Sequence, residues 1–269
     1  MELMVPVKDG EVWAEDSGEP GGRAGAGGPG GDMPPLVLLH PGVADSRVWD
    51  GILPRLREGR RVIRYDARGY GRSPAPTARF SLVDDLTAVL DHFDVARAFL
   101  AASSMGGTTA IGLALGDPGR VAGLALLVPG ITGNPDFLMA EFTAEVGRLA
   151  RAGDMDGIVA LVMRTSAAAG SGDDPAEELI RAVIPAWFAV HPHQVPDPPA
   201  FDRLGELDVP CVLALGEHDD PEAVRCNEQM AARIPGCRLV RLGESDHFPI
   251  LREPEAVTDL ILRAYAAAR

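Results

Sequence analysis

Residues Phe99 to Ala110 read FLAASSMGGTTA. A β-compatible run, Ala98–Ala101, is followed by helix-like sequence from Met105 to Leu115, so Ser104 stands where a strand turns into a helix. The spacing is small-x-Ser-x-Gly, with Ala102 and Gly106 in the small positions. A turn this tight is strained, and a bulky side chain at either small position would meet neighbouring backbone. It presents the serine hydroxyl at a helix N-terminus, where unpaired amides favour developing negative charge. The same residues also suit a plain turn with serine as helix cap. What stands at the other strand ends decides between the two.

Outward from this turn, short apolar runs recur at Leu36–Leu39, Val62–Tyr65, Ala122–Val128, Cys211–Leu215 and Leu239–Leu242, with a strand-like EVWAE at Glu11–Glu15. They lack strict alternation, as strands buried on both faces do. Helical patterns fall between them. Leu82, Leu86, Val89, Leu90 and Phe93 keep a three-to-four spacing behind Ser81, Asp84 and Asp85, and further helices are predicted over Pro221–Ile234 and Pro254–Ala267. Strands alternating with helices predict an α/β fold with a parallel sheet covered on both faces. From Ile131 to about Phe201 the alternation lapses into three helical stretches and a proline-rich linker, His191–Pro199. The expected organisation is a core of residues 1–130 and 202–269 with a helical insertion at 131–201.

Three segments at predicted strand ends give Ser104 chemical company. Leu38-Leu39-His40-Pro41-Gly42-Val43 can aim backbone N–H groups at the point served by the Met105 amide. Leu213-Ala214-Leu215-Gly216-Glu217-His218-Asp219-Asp220 ends a strand in carboxylates, and Gly243-Glu244-Ser245-Asp246-His247-Phe248 brings a histidine after the last strand. Serine, acid and histidine thus follow in the chain order of a nucleophile-elbow hydrolase.

The chain resembles the α/β-hydrolase fold superfamily from about Val12 to the last helix. LLHPG resembles the family's oxyanion loop, and the run Arg64–Ser73, RYDARGYGRS, its D-x-R-G-x-G-x-S segment. ASSMGG resembles the elbow more often written G-x-S-M-G-G, LGEHD the acid loop, and DHFPILREPEAV the histidine loop and final helix. The resemblance implies a mostly parallel sheet of about eight strands, with the insertion as a cap over the site. It further implies a catalytic set of Ser104, Asp219 and His247. Asp219 is preferred because it fills the G-E-x-D position, with Asp220, Glu217 and Asp246 as alternatives. Pro41 stands where the family usually has glycine and offers no N–H, so the oxyanion donors become Met105 and Gly42, with Val43 the alternative. The implied reaction is cleavage of a small ester or lactone through a Ser104 acyl-enzyme, with no metal or organic cofactor. Relatives with a similar set cleave carbon–carbon bonds of β-diketone type or act as cofactor-free perhydrolases and haloperoxidases. A small-molecule receptor with a slow triad is a further alternative. Epoxide hydrolases and haloalkane dehalogenases carry Asp where this chain has Ser104.

Composition narrows the classes. With 269 residues, 46% hydrophobic and 24% charged, the chain is long and apolar enough for a core without disulfides. Its net charge of −14 argues against nucleic-acid and membrane-surface partners. Cys211, Cys226 and Cys237 cannot all pair, and the N-terminus shows no basic-then-apolar leader, so a cytoplasmic location is expected. The longest apolar run, around Val121–Val128, is too short to span a bilayer. The Gly, Ala, Arg and Asp bias resembles that of proteins from high-GC bacteria, and Gly18–Asp32 reads as a flexible surface loop. Other features take structural readings. His191 and His193 lack a third metal ligand, Asp154-Met-Asp156-Gly157 lacks the offsets of a calcium loop, and Gly69-Tyr70-Gly71 lacks a third glycine for a dinucleotide. Asp66–Arg68 reads as an ion-pairing turn. Trp187 and Phe188 could line an acyl pocket or join the core. The sequence assigns no oligomeric state.

Overall fold

The computed structural model describes residues 1–18, 33–135 and 140–268. Nearly all of the expected Gly18–Asp32 loop, and Asp136–Met139 of the first predicted helical stretch of the insertion, lie outside the described residues. The strands are β1 (Glu2–Val7), β2 (Gly10–Asp16), β3 (Leu36–Leu39), β4 (Val62–Tyr65), β5 (Ala98–Ser103), β6 (Val121–Leu127), β7 (Cys211–Gly216) and β8 (Arg238–Leu242). They form one sheet in the order β1-β2-β4-β3-β5-β6-β7-β8. β2 is antiparallel to both neighbours, and every other pair is parallel. This is the expected α/β architecture.

One strand was not legible in advance. β1 carries Pro6 and is followed by Lys8-Asp9-Gly10, which reads as punctuation. An edge strand tolerates proline, and Asp9, at φ +56°, makes the hairpin turn into β2.

The helices are α1 (Leu53–Leu56), α2 (Leu82–His92), α3 (Met105–Gly116), α4 (Ala140–Ala152), α5 (Met155–Ser166), α6 (Pro175–Val190), α7 (Pro221–Arg233), α8 (Pro249–Arg252) and α9 (Pro254–Ala267). Their starts follow ordinary capping rules. Ser81 accepts the Asp84 amide at the head of α2, and Asp174 and Asp220 cap α6 and α7, each with proline at the first helical position.

Strand side chains alternate between two cores. Val37, Leu39, Leu100, Ala102, Leu124 and Leu126 face α2, α3 and α7. Leu36, Leu38, Phe99, Ala101, Ala125 and Leu127 face α9 and, with Val48 and Trp49, the apolar sides of α5 and α6. Both faces are therefore covered, which explains why the central strands read as continuous apolar runs. The segment α4–α6 leaves the sheet after β6 and returns at β7. Among the described residues no helix is long and apolar enough to cross a membrane.

Strand order places the site. The chain goes from β3 to β4 on one side, then crosses to β5 on the other, so β3 and β5 are hydrogen-bonded neighbours at the point where winding direction reverses. A crevice opens at the carboxyl ends of such a pair. Leu39 pairs with Ala102 there, and Ser103 with Leu127 across the next ladder.

Candidate active site

Ser104 follows the last residue of β5 and precedes α3, with φ 48° and ψ −111°. A non-glycine residue in this region is strained by roughly 1–3 kcal/mol and needs surroundings that enforce it. They do so at both of its peptide groups. The Ser104 amide donates to the Leu127 carbonyl at 3.1 Å, and its own carbonyl accepts from Gly130 at 2.9 Å and Thr108 at 3.1 Å. Gly106 is the small position with no spare room: a Cβ there would lie 2.6 Å from Leu39 Cβ and 2.7 Å from the Leu39 carbonyl oxygen. Ala102, fully buried, packs its methyl within the apolar cluster beneath α3.

The loop His40–Val43, expected to carry the oxyanion donors, is tied to the same turn. The Gly106 amide donates to the His40 carbonyl at 3.2 Å. His40 itself is buried, with Nδ1 against the Pro41 carbonyl at 2.9 Å and Nε2 accepting from the Ala67 amide at 3.0 Å. A carbonyl only accepts and an amide only donates, which fixes the proton on Nδ1. The ring thus joins the ends of β3 and β4. Gly42 follows, and a Cβ built on it would stand 3.6 Å from Met105 Cβ and 3.8 Å from the Tyr70 hydroxyl. The amides of Gly42, Val43 and Met105 meet no acceptor among the described residues.

The remaining members arrive from β7 and β8. His247 Nε2 lies 2.8 Å from Ser104 Oγ, and its Nδ1 lies 2.7 Å from Asp219 Oδ2. The carboxylate can only accept, so Nδ1 carries the proton and Nε2 is free to receive the serine's. Burial opposes a charge on His247, but the pull of Asp219, with Asp246 and Asp220 behind it, outweighs burial and raises its pKa above that of an ordinary imidazole.

The other acids are engaged elsewhere. Asp220 caps α7 by accepting from the Glu222 amide at 2.8 Å. Glu217 is exposed and lies 3.7 Å from Arg241. Asp246 is fully buried and accepts from the amides of Ala169 and Phe248 and from Arg252 Nε, at 3.0, 2.8 and 2.9 Å. Arg252 also holds Asp174 through two bonds of 2.9 and 2.7 Å. The histidine loop is thereby fastened to the insertion, and the His247 amide adds a 3.1 Å bond to the Ser166 carbonyl.

The motif Arg64–Ser73 supports the floor of the site. Asp66 is fully buried and accepts from the amides of Ser46 and Arg72, each at 2.9 Å. Arg68 forks onto buried Asp85 with two 2.7 Å bonds and lies over the Phe80 ring. Asp154 caps α5 through the Gly157 amide. No cluster of three or more His, Cys, Asp or Glu fit for a metal occurs among the described residues, His191 and His193 included.

Over Ser104 opens a cavity of about 350 Å³, near the lower end of the usual range for small-molecule sites. Val43, Phe142 and Trp187 supply apolar wall; Tyr70 and Asn227 supply polar atoms. Trp187 does more than line it, because its Nε1–H donates to the Gly42 carbonyl at 2.7 Å. Phe188, its neighbour, is 43% exposed. Sequence reading did not single out Tyr70, Phe142 or Asn227. One signal existed for the last: Asp220, Ala223 and Asn227 recur at i, i+3 and i+7, one face of α7, and all three border the cavity.

A family model described as the α/β hydrolase fold matches residues 34–189, more than half of the chain. That match stops before Asp219 and His247, whose placement comes from the geometry above. Over 105 residues the chain is 43% identical to the dihydrolipoyllysine-residue acetyltransferase component of the acetoin cleaving system of Pseudomonas putida, covering 38% of this chain and 28% of that one. The chain spans only about a third of the length of the first curated relatives it matches. Among solved structures, the enol-lactonase of Burkholderia xenovorans LB400 is 23% identical with TM-score 0.80, covering 98% of this chain and 100% of that one. Est816, described as an N-acyl homoserine lactone degrading enzyme, is 26% identical with TM-score 0.76, covering 97% and 99%.

Proposed function

We propose that this chain, which belongs to the α/β-hydrolase fold family, is a serine hydrolase that cleaves small carboxylic esters or lactones through an acyl-enzyme on Ser104. The observation that carries the reading is the continuous relay from Ser104 Oγ to His247 Nε2 at 2.8 Å and from His247 Nδ1 to Asp219 at 2.7 Å. It opens into a cavity that these same residues line. The enol-lactonase and the N-acyl homoserine lactone degrading enzyme among the structural neighbours support the same class.

His247 takes the Ser104 proton as Oγ attacks the carbonyl carbon, and Asp219 stabilises the imidazolium. The Gly42 and Met105 amides, free of other acceptors, take the tetrahedral oxyanion; one such donor is worth about 3–4 kcal/mol of barrier. His247 then returns the proton to the leaving alcohol. Water, deprotonated by the same ring, attacks the acyl carbon and regenerates Ser104. The segment 131–201 acts as a cap, contributing Phe142 and Trp187 to the acyl wall. Three cysteines, Cys211, Cys226 and Cys237, cannot all pair, which suits a reducing compartment such as the cytoplasm.

The test is release of p-nitrophenolate from esters running from acetate to octanoate, compared between wild type and Ser104→Ala. Turnover that disappears in the variant, with unchanged thermal unfolding, is the expected result, and the chain-length optimum then sizes the cavity. Equal rates in both proteins would refute the mechanism.

A further inference from the structure

The cavity wall carries two polar atoms that have no partner among the described residues. Asn227 is 3% exposed, and its Nδ2 donates to the Pro129 carbonyl at 2.9 Å. Because that partner can only accept, the amide cannot be turned round, and Oδ1 is left without a partner among the described residues. Tyr70, 5% exposed, likewise ends in a hydroxyl with no partner among the described residues. Both residues line the cavity. Both atoms are neutral, one an acceptor and the other able to donate. Polar atoms open to a cavity in this way are paired by water until a ligand's own polar atoms displace it.

The charges around them have one sign. Asp219 and Asp220 line the cavity, fully buried Asp246 lies behind His247, and no Lys or Arg lines it among the described residues. Asp219 is balanced by His247 as the imidazolium forms. Asp220 is exposed, satisfies one backbone amide at the head of α7, and has no cation paired with it among the described residues. The upward displacement of the His247 pKa, against the effect of burial, reports the same negative field.

We infer that the site selects an uncharged substrate. Asp220 repels esters bearing a carboxylate, while Asn227 Oδ1 and the Tyr70 hydroxyl receive the polar groups of a neutral ester or lactone. This rests on the acyl-enzyme reading and adds the charge class of the substrate to it. A carboxylate on the substrate meets like charge at the cavity wall, a repulsion that solvent and salt screen only in part, so its capture is slowed in a salt-dependent way.

The experiment compares two esters of one shape, 4-nitrophenyl hydrogen adipate and its methyl ester, at pH 8, in wild type and Asp220→Asn. Asparagine caps a helix as well as aspartate, so α7 keeps its start. The expected result is a kcat/KM at least tenfold higher for the methyl ester, a ratio that narrows as salt is raised and falls at least threefold in Asp220→Asn. Equal kcat/KM for the two esters in wild type would overturn the inference and leave the acyl-enzyme reading standing. A large ratio untouched by both salt and Asp220→Asn would overturn the role of Asp220. If neither ester is cleaved and a neutral fluorophosphonate fails to label Ser104, both readings fall together.

Discussion

Trp187→Phe removes one hydrogen bond and little else. The indole Nε1–H donates to the Gly42 carbonyl at 2.7 Å, and a phenyl ring retains most of the apolar wall. The freed carbonyl borders a cavity wide enough for water, so the loss in stability is that of one exchanged bond, about 0.5–1.5 kcal/mol. For a chain of this size that lowers Tm by about 2–4 °C. The kinetic cost is larger if the bond holds the Gly42 amide on the oxyanion. Complete loss of one such donor costs about 3–4 kcal/mol, and the loop keeps its other tie, the 3.2 Å bond from the Gly106 amide to the His40 carbonyl. We therefore expect an intermediate penalty of about 1.4 kcal/mol, a tenfold fall in kcat, with KM for a short ester changed less than threefold. Initial rates on p-nitrophenyl acetate and butyrate, with a thermal melt of the same samples, measure both. An unchanged kcat with the expected fall in Tm would show the bond to be structural only, and a change confined to KM would make Trp187 a wall and nothing more.

Three further outcomes follow from the geometry. Asp219→Asn should fold and lose on the order of 10⁴ in kcat by favouring the wrong imidazole tautomer; if Asp246→Asn were the variant that cost activity while keeping its fold, the acid assignment would be wrong. His247 must be neutral to act as base, so kcat/KM should fall with acid through a pKa above the ordinary imidazole value, and an acid limb below that value would contradict the field described here. In stability the sign is opposite. A raised folded-state pKa makes the charged ring stabilising below the unfolded value and loses that contribution as pH rises through the folded one, which melts of wild type and His247→Gln across that range would read. Gly106→Ala forces a methyl to within 2.6–2.8 Å of Leu39, so it should cost about 1–3 kcal/mol in urea unfolding and displace the oxyanion loop. Gly42→Ala, whose nearest neighbours stand 3.6 Å away, is the tolerated control.

The candidate site was legible where a particular backbone conformation is demanded. The turn at Ser104 and the loops after β3, β7 and β8 each carry small or charged residues in a fixed order, and the strand ends bring them together. Asp219 could be preferred over Asp220 by position alone, and the structure separates them by partner, one facing His247 and the other capping α7. The elements that escaped are those decided by contact across long stretches of chain. β1 is a strand because β2 offers it a ladder. Trp187 meets Gly42 across 145 residues, a meeting that no local spacing encodes. Asn227 and Tyr70 acquire their significance from what fails to reach them among the described residues, which no spacing in the sequence encodes.

The insertion between β6 and β7 supplies the Ser166 carbonyl to the His247 amide, the Ala169 amide and, through Arg252, the Asp174 carboxylate to the Asp246 loop, and the Trp187 indole to Gly42. Segments of this kind look like interchangeable parts, and the obvious way to retarget such a scaffold is to transplant one wholesale. Here a transplant would strip anchors from His247 and from the loop at Gly42 at once. New specificity in this lineage should therefore come from exchanging single wall residues such as Phe142, Val43 or Asn227, and chimeras should be rescued only when the donor segment brings its own equivalents of Asp174 and Trp187.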